Sequence, residues 1–240
     1  MKLSILAKIL DLVFPRYCPI CGDRLLGEEW GVCLPCHRHL PETWTWEDPY
    51  SNPMARQFWH LIPIERCAAL FLYDGGSPAS LLIYRLKYGG DYRIGYWLGR
   101  QLAREGLRTG FFDGIDGIVP IPLARNRMRQ RGYNQSECIA RGIAELTRLP
   151  VITDMVYRVC FKESQTKKDR WQRNANVEGI FQPTDKYLKD PRRRDSVEGH
   201  HFLVVDDVCT TGATIISCCK AIQQIGKAKF SVLAVGWAKE

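Results

Sequence analysis

The sequence predicts an α/β protein, a mostly parallel sheet flanked by helices and preceded by a small N-terminal metal-binding module. Three observations carry that expectation. Strand-like and helix-like segments alternate from Ala68 to the last residues. A continuous apolar run, Phe202–Val205, ends in two adjacent carboxylates and a turn rich in threonine and glycine. Two Cys-x-x-Cys pairs lie within the first forty residues.

Hydrophobic residues make up 45% and charged residues 25% of 240 positions, which excludes a wholly disordered, collagen-like or coiled-coil chain. The length suffices for a core without disulfide staples. The net charge of +8 favours anionic partners. It is unevenly placed: Arg125 to Arg173 holds twelve Lys or Arg against five Asp or Glu, a local +7. A solvated surface would scatter such charge, so this segment is a candidate anion site.

The chain divides into residues 1–45, a helix and cysteine module; 46–66, a linker; and 67–240, the α/β domain. Leu3, Leu6, Ile9, Leu10 and Val13 share one helical face. That apolar start is broken by Lys8, Asp11 and Pro15, too short to span a bilayer and without a small-residue cleavage site. A helix packed on its own domain and a cytoplasmic location are expected, where thiols stay reduced.

Cys18, Cys21, Cys33 and Cys36 form two C-x-x-C turns with eleven residues between them. Each turn points two thiolates to one side, and two facing turns make the tetrahedral sulfur cage that zinc prefers. Disulfides or redox pairs are the alternative; the tandem arrangement favours structural zinc. His37 and His39 are potential substitutes for a sulfur, but their adjacency to Cys36 reads as incidental. A closed four-thiolate site leaves no open position for chemistry. Cys67, Cys138, Cys160, Cys209, Cys218 and Cys219 show no ligand spacing and read as buried small hydrophobes.

Trp44, Trp46, Pro49, Pro53, Trp59 and Pro63 mark an ordered but irregular linker. Its aromatics anchor it to the domain, with base stacking as the second reading. Ala68–Tyr73 is a strand. Ser77-Pro78 caps a helix carrying Leu81, Leu82, Arg85, Leu86 and Lys87, ended by Gly89-Gly90. Tyr96–Leu107 is a second helix and Gly117–Ile121 a short strand. Asn134-Gln-Ser-Glu137 has the form of a capping box before a helix through Ile139, Ile143 and Leu146. Val156–Cys160 and Val177–Phe181 are strand candidates, and 184–200 reads as a solvated hairpin or loop. Ala213–Ile225 is a helix and Phe230–Trp237 the last strand. His200 and His201 read as a solvated strand start.

The most informative stretch runs from Phe202 to Thr214. A buried strand delivers Asp206 and Asp207 at its carboxyl end, and Thr210, Thr211, Gly212, Ala213 and Thr214 open a helix. Unpaired amides and partial positive charge at a helix start make a phosphate cradle. The adjacent carboxylates suit sugar hydroxyls or a magnesium ion. The pattern implies a sugar phosphate, and it is not a Walker A loop.

Leu203–Thr214 resembles the phosphoribosyl-pyrophosphate (PRPP) motif of type I phosphoribosyltransferases. Leu86-Lys-Tyr-Gly-Gly-Asp91, Val119-Pro-Ile-Pro-Leu with Arg131-Gly-Tyr-Asn-Gln135, and Gln165-Thr with Arg173-Asn-Ala-Asn-Val and Gly179-Ile-Phe181 resemble the ComF family, the competence-associated branch of that fold. The cysteine knuckle resembles that family too. The likeness spans almost the whole chain and is weakest over 41–66 and 184–200. Cys209 departs from the bulkier residue usual in that loop.

The resemblance implies a type I phosphoribosyltransferase-like fold that binds PRPP with magnesium, linked to DNA uptake. Asp206 and Asp207 would contact the ribose, and Thr210 to Thr214 the 5-phosphate. Pro122, Leu123 and Arg125 would lie near the diphosphate. Lys167 and Arg170, in a loop over 162–176, would close on the leaving pyrophosphate. Arg127, Arg129, Arg131, Lys168 and Arg173 are candidate contacts to the diphosphate or to DNA; in an extended loop, Arg125, Arg127, Arg129 and Arg131 would share one side. Two functions follow: phosphoribosyl transfer to an amine or base, or a non-catalytic factor binding PRPP and single-stranded DNA together with the uptake machinery.

Overall fold

The computed structural model describes residues 14–27, 29–159 and 179–238. The expected helix through Leu3–Val13, Cys160, the loop 162–176 and the start of the strand expected over Val177–Phe181 lie outside the described residues. Among the described residues no helix is long and apolar enough to cross a membrane.

The main sheet has four strands: β1 (Ile64–Leu72), β2 (Gly117–Pro120), β5 (His201–Cys209) and β6 (Lys229–Trp237). They lie in the order β1-β6-β5-β2 and every pairing is parallel. Parallel strands need crossovers that cover both faces with helices, so the strands are apolar on both sides. Alternate residues obey this directly. Leu203 and Val205 enter one core with Leu233 and Val235. Phe202 and Val204 enter the other with Val232 and Ala234.

The first core is roofed by α3 (Pro78–Tyr88), α4 (Tyr92–Arg108) and α6 (Gln135–Thr147). Gly99 and Gly142 let α4 and α6 touch backbone to backbone: a Cβ on Gly99 would sit 2.0 Å from the Ile139 carbonyl. Residues of the cysteine knuckle around the short helix α1 (Leu34–Arg38), including Val32, Cys33 and Leu40, belong to this core. The second core is covered by α2 (Pro53–Arg56), α9 (Ala213–Gln223) and the antiparallel pair β3 (Val156–Arg158) and β4 (Phe181–Pro183).

The linker is tied down by polar and aromatic contacts together. The Asn52 side-chain amide donates to the carbonyls of Cys67 (2.8 Å), Asp48 (3.0 Å) and Thr45 (3.2 Å). Trp46 is buried edge-on against Phe111, with centroids 5.5 Å apart. Packing therefore holds Trp46. The partly exposed Trp44 meets Trp237 at the end of β6.

Several local expectations change. The first strand begins at Ile64 and the second α-domain helix at Tyr92, where the Asp91 carboxylate accepts from the Arg93 amide. Asn134 caps α6 through the Ser136 amide, but Glu137 pairs with Arg141 at 2.6 Å, so there is an N-cap and no capping box. The segment expected as a hairpin or loop forms two short helices, α7 (Asp185–Lys189) and α8 (Pro191–Asp195). Proline at the first turn and Asp190 at the cap start α8, and Lys186 and Arg193 pair with Asp154. His201 is buried and shares a hydrogen bond of 2.9 Å with Ser231, because its strand lies inside the sheet. Arg125–Arg131 is a helix, α5, ended by Gly132 in the left-handed conformation. The four arginines therefore do not share a side. Helical spacing groups Arg127 with Arg131 and Arg125 with Arg129.

Candidate functional site

The carboxyl end of β5 opens on a cleft of about 360 Å³. Asp206 and Asp207 lie on its floor, and Thr210 and Thr214 line the side where α9 begins. Gly212 is the N-cap of α9, left-handed at φ 72°, and no side chain caps the helix. First-turn amides of such a helix point outward without intrahelical partners, an anion cradle. Thr211, Gly212 and Ala213 complete this turn. Phe58, fully buried, supports it from below: a Cβ on Gly212 would lie 2.7 Å from the Phe58 ring. The Cys209 thiol donates to Gln57 Oε1 at 3.6 Å. Burial, with a smaller push from Asp206, raises that thiol to about 12, so it is inert rather than nucleophilic.

The opposite wall comes from elements distant in sequence. Pro122 and Leu123 follow β2, and from α5 only Arg127 and Arg131 reach the lining. Arg125 and Arg129 are exposed outside it. The Arg131 guanidinium donates to Gln135 Oε1 at 2.9 Å and lies 5.1 Å over the Tyr88 ring. Asn134 donates to the Ile121 carbonyl at 3.0 Å, fixing the start of α6 against the end of β2. Ser136 Oγ then reaches Asp206 Oδ1 at 3.1 Å, and the Asp207 amide donates to the same oxygen at 2.8 Å. Lys87, from the last turn of α3, pairs with Asp207 at 2.8 Å.

The two aspartates differ in consequence. Burial, then the neighbouring Asp207 charge, pushes the Asp206 carboxyl up to about 7, against the pull of the Asp207 amide, Ser136 and Lys87. Sequence reasoning missed Lys87, Tyr88, Gln135, Ser136 and Arg158 as cleft residues. For Lys87, Tyr88 and Gln135 the signal was present in the Leu86–Asp91 and Arg131–Gln135 stretches. Lys167, Lys168, Arg170 and Arg173 lie outside the described residues.

The cysteine knuckle is a separate site. The Sγ atoms of Cys18, Cys21, Cys33 and Cys36 all lie within 4.8 Å of one another, and Cys21 and Cys33 are 3.7 Å apart. A Zn–S distance of about 2.3 Å puts tetrahedral sulfurs about 3.8 Å apart, so the donor set fits zinc. All four are free thiols. Burial would raise Cys18, but backbone amides of Cys21, Cys33 and Ile20 overcome it and hold that thiol near 7. His37 is spent elsewhere, edge-on to Trp97 at 5.4 Å. The cage needs neither histidine.

Fold and site together define a class: an α/β protein with a four-stranded parallel sheet, a cleft at the carboxyl end of β5 and a four-cysteine module before it. Comparison with known proteins narrows this. The chain is 27% identical over 232 residues to the DNA utilization protein YhgH of Salmonella typhimurium, covering 92% of this chain and 96% of that one. It is 28% identical to the Escherichia coli K12 protein of the same name, with the same coverage. Over 111 residues it is 31% identical to Competence protein ComFC of Bacillus subtilis, covering 46% of this chain and 40% of that one. No family model matches the chain. Among solved structures, a glutamine PRPP amidotransferase from B. subtilis aligns at 17% identity and a TM-score of 0.41, over 63% of this chain and 30% of that one. These relatives, together with the motifs of the cleft, support a ComF family protein.

Proposed function

We propose that this protein binds PRPP, with magnesium carried on its diphosphate, and transfers the phosphoribosyl group to an amine or base nitrogen. The observation that carries this reading is the join of β5 to α9. Two carboxylates lie near the carboxyl end of the strand, before Val208 and Cys209, and an uncapped helix start at Gly212 follows within five residues of Asp207. In this reading Asp206 and Asp207 hold the ribose hydroxyls and Thr210 to Thr214 the 5-phosphate. Arg127 and Arg131, with the backbone after β2 at Pro122 and Leu123, face the diphosphate. Lys167 and Arg170, assisted by Lys168 and Arg173, close over it. Arg125 begins the helix that carries this wall.

In the transfer, the C1–oxygen bond breaks with its electron pair leaving on pyrophosphate. The acceptor nitrogen bonds to C1 and loses its proton to solvent or to the departing group. The protein's part is positional and electrostatic: cations aimed at the leaving oxygens act most strongly where water is excluded. The relatives named for DNA utilization and competence support a place for this chemistry in DNA uptake. Calorimetry with PRPP tests binding. Pyrophosphate release with a panel of amines and bases tests turnover, and tight binding without release with any acceptor rejects the transferase reading.

One observation favours a second, non-catalytic reading. Tyr84 and Tyr88 are exposed with their rings 5.0 Å apart, and Tyr88 lines the cleft with Arg131 over it. Aromatic faces beside arginines suit single-stranded DNA. Fluorescence titration at several salt concentrations should then give a slope of about −0.7 per phosphate neutralised. Competition by PRPP would put the DNA on this face; absence of binding at low salt excludes the reading.

A further inference from the structure

The acidic pair on the cleft floor is not bare. Lys87 Nζ sits 2.8 Å from Asp207 Oδ1, with the two side chains only 25% and 13% exposed. This is no loose surface pairing. Tyr133 Oη donates to the Leu86 carbonyl at 2.6 Å, clamping the end of α3 to the segment before α6. Gly89 closes α3 through the Arg85 carbonyl at 2.7 Å, and Arg131 lies over Tyr88. Three contacts from two motifs thus fix the turn that delivers the ammonium.

Asp206 is engaged from the other side by Ser136 and the Asp207 amide. A magnesium ion asks for near-octahedral oxygen ligation at about 2.1 Å. Here one Asp207 oxygen already faces a lysine and one Asp206 oxygen already accepts two protein donors. Among the described residues no third carboxylate or histidine joins the pair; the only such cluster is the four cysteines. The pair therefore does not fit a directly bound divalent cation, although its outward lone pairs remain suited to hydroxyls.

We infer that Lys87 is the resident cation of the Asp206–Asp207 pair, so that the pair holds the sugar hydroxyls without a metal of its own. This rests on the sugar-phosphate reading above. Magnesium then enters only with a ligand that carries it, such as a diphosphate. Lys87 is a positioning residue: it orients the Asp207 carboxylate while the sugar binds.

Two measurements on zinc-loaded protein in resin-treated buffer separate this inference from the reading beneath it. The first is manganese titration followed by electron paramagnetic resonance. Wild type should show no manganese at the pair. Lys87→Met should gain a site that is lost again in Lys87→Met/Asp207→Asn. The second is ribose 5-phosphate binding, chosen because it lacks the diphosphate. Wild type should bind equally with and without added magnesium. Lys87→Met should bind about tenfold more weakly without magnesium, as expected for loss of a charge-assisted contact. Lys87→Arg should restore binding, with unchanged melting showing that fold is not the cause. A wild-type manganese site removed by Asp207→Asn, or ribose 5-phosphate binding that requires magnesium, overturns the role of Lys87 and leaves the sugar site standing. No ribose 5-phosphate binding in any condition sinks the sugar reading itself, and the manganese result still decides what Lys87 neutralises.

Discussion

Nineteen consecutive residues, Cys18 to Cys36, supply every donor of the thiolate cage. The cleft at the end of β5 draws its donors from Lys87, Arg127, Arg131, Ser136 and the 206–214 segment, on four helices and a strand. The first site is local and closed. Its four sulfurs lie within 4.8 Å of one another, all from one short segment. The second exists only once α3, α5 and α6 have docked on the sheet. A local site should fail all at once when one donor goes. A distributed site should fail by degrees, because each element brings one or two contacts and the rest remain.

The largest effect is expected at the knuckle. A structural zinc contributes apparent folding free energy of about 10–16 kcal/mol in small domains. Cys18→Ser should remove bound zinc altogether. Val32, Cys33 and Leu40 share a core with Trp97, so hydrogen-exchange protection should fall over residues 14–40 and along the facing turn of α4. The β5–β6 pair should keep its protection. Full zinc content in the variant, or disulfides in reduced wild type, would remove the distinction between the two sites.

At the cleft the expected losses are smaller and graded. Asp206→Asn/Asp207→Asn should weaken PRPP by roughly 1–3 kcal/mol, the range for charged hydrogen bonds, with zinc content untouched. Calorimetry showing equal affinity would exclude the pair as ligands. Gly212→Ala sharpens the same point through the backbone. Its φ of 72° and the Phe58 ring 2.7 Å from a new Cβ both oppose a side chain. A strained position of this kind costs about 1–3 kcal/mol. Chemical denaturation should show that loss, and Phe58→Leu in the same background should recover part of it. Recovery of nothing would mean that φ alone, and not the linker beneath, sets the turn.

The same contrast explains what was legible in the sequence. The cysteine spacing and the Asp206–Thr214 run were legible because their geometry is contiguous: a turn or a strand end delivers neighbours to neighbours. The parallel sheet was legible from apolar runs. Lys87 and Ser136 were visible as residues of a helix and a cap, but only tertiary docking turns them toward the aspartates. The arginines of α5 show a subtler failure. Every second residue is basic, which fits an extended loop, yet Arg, Met and Gln are good helix formers and Gly132 supplies a stop. The helix splits the four into two pairs and sends one pair to the cleft. His201 was misread because a strand's place inside a sheet leaves no local mark.

The last expected effect is the dependence of stability on pH, and within the cleft it comes from Asp206. Asp206 titrates near 7 in the folded chain because burial and Asp207 disfavour its charge. An unfolded aspartate titrates near 4. Below about pH 4 the group is protonated in both states and its contribution is fully present. Between there and about 7 the folded chain holds a proton that the unfolded chain has released, so stability from this group falls as pH rises. It is gone once pH passes the folded value. His201 works in the opposite sense: burial, then Arg66, lowers it, so its contribution is lost as pH falls. Comparing wild type with Asp206→Asn cancels the histidine and isolates the aspartate. In urea titrations from pH 4.5 to 8, the wild-type advantage over the variant should shrink steadily and level off above 7. A constant difference across that range would mean that Asp206 is ionised throughout, with the Asp207 amide, Ser136 and Lys87 together outweighing burial and the Asp207 charge.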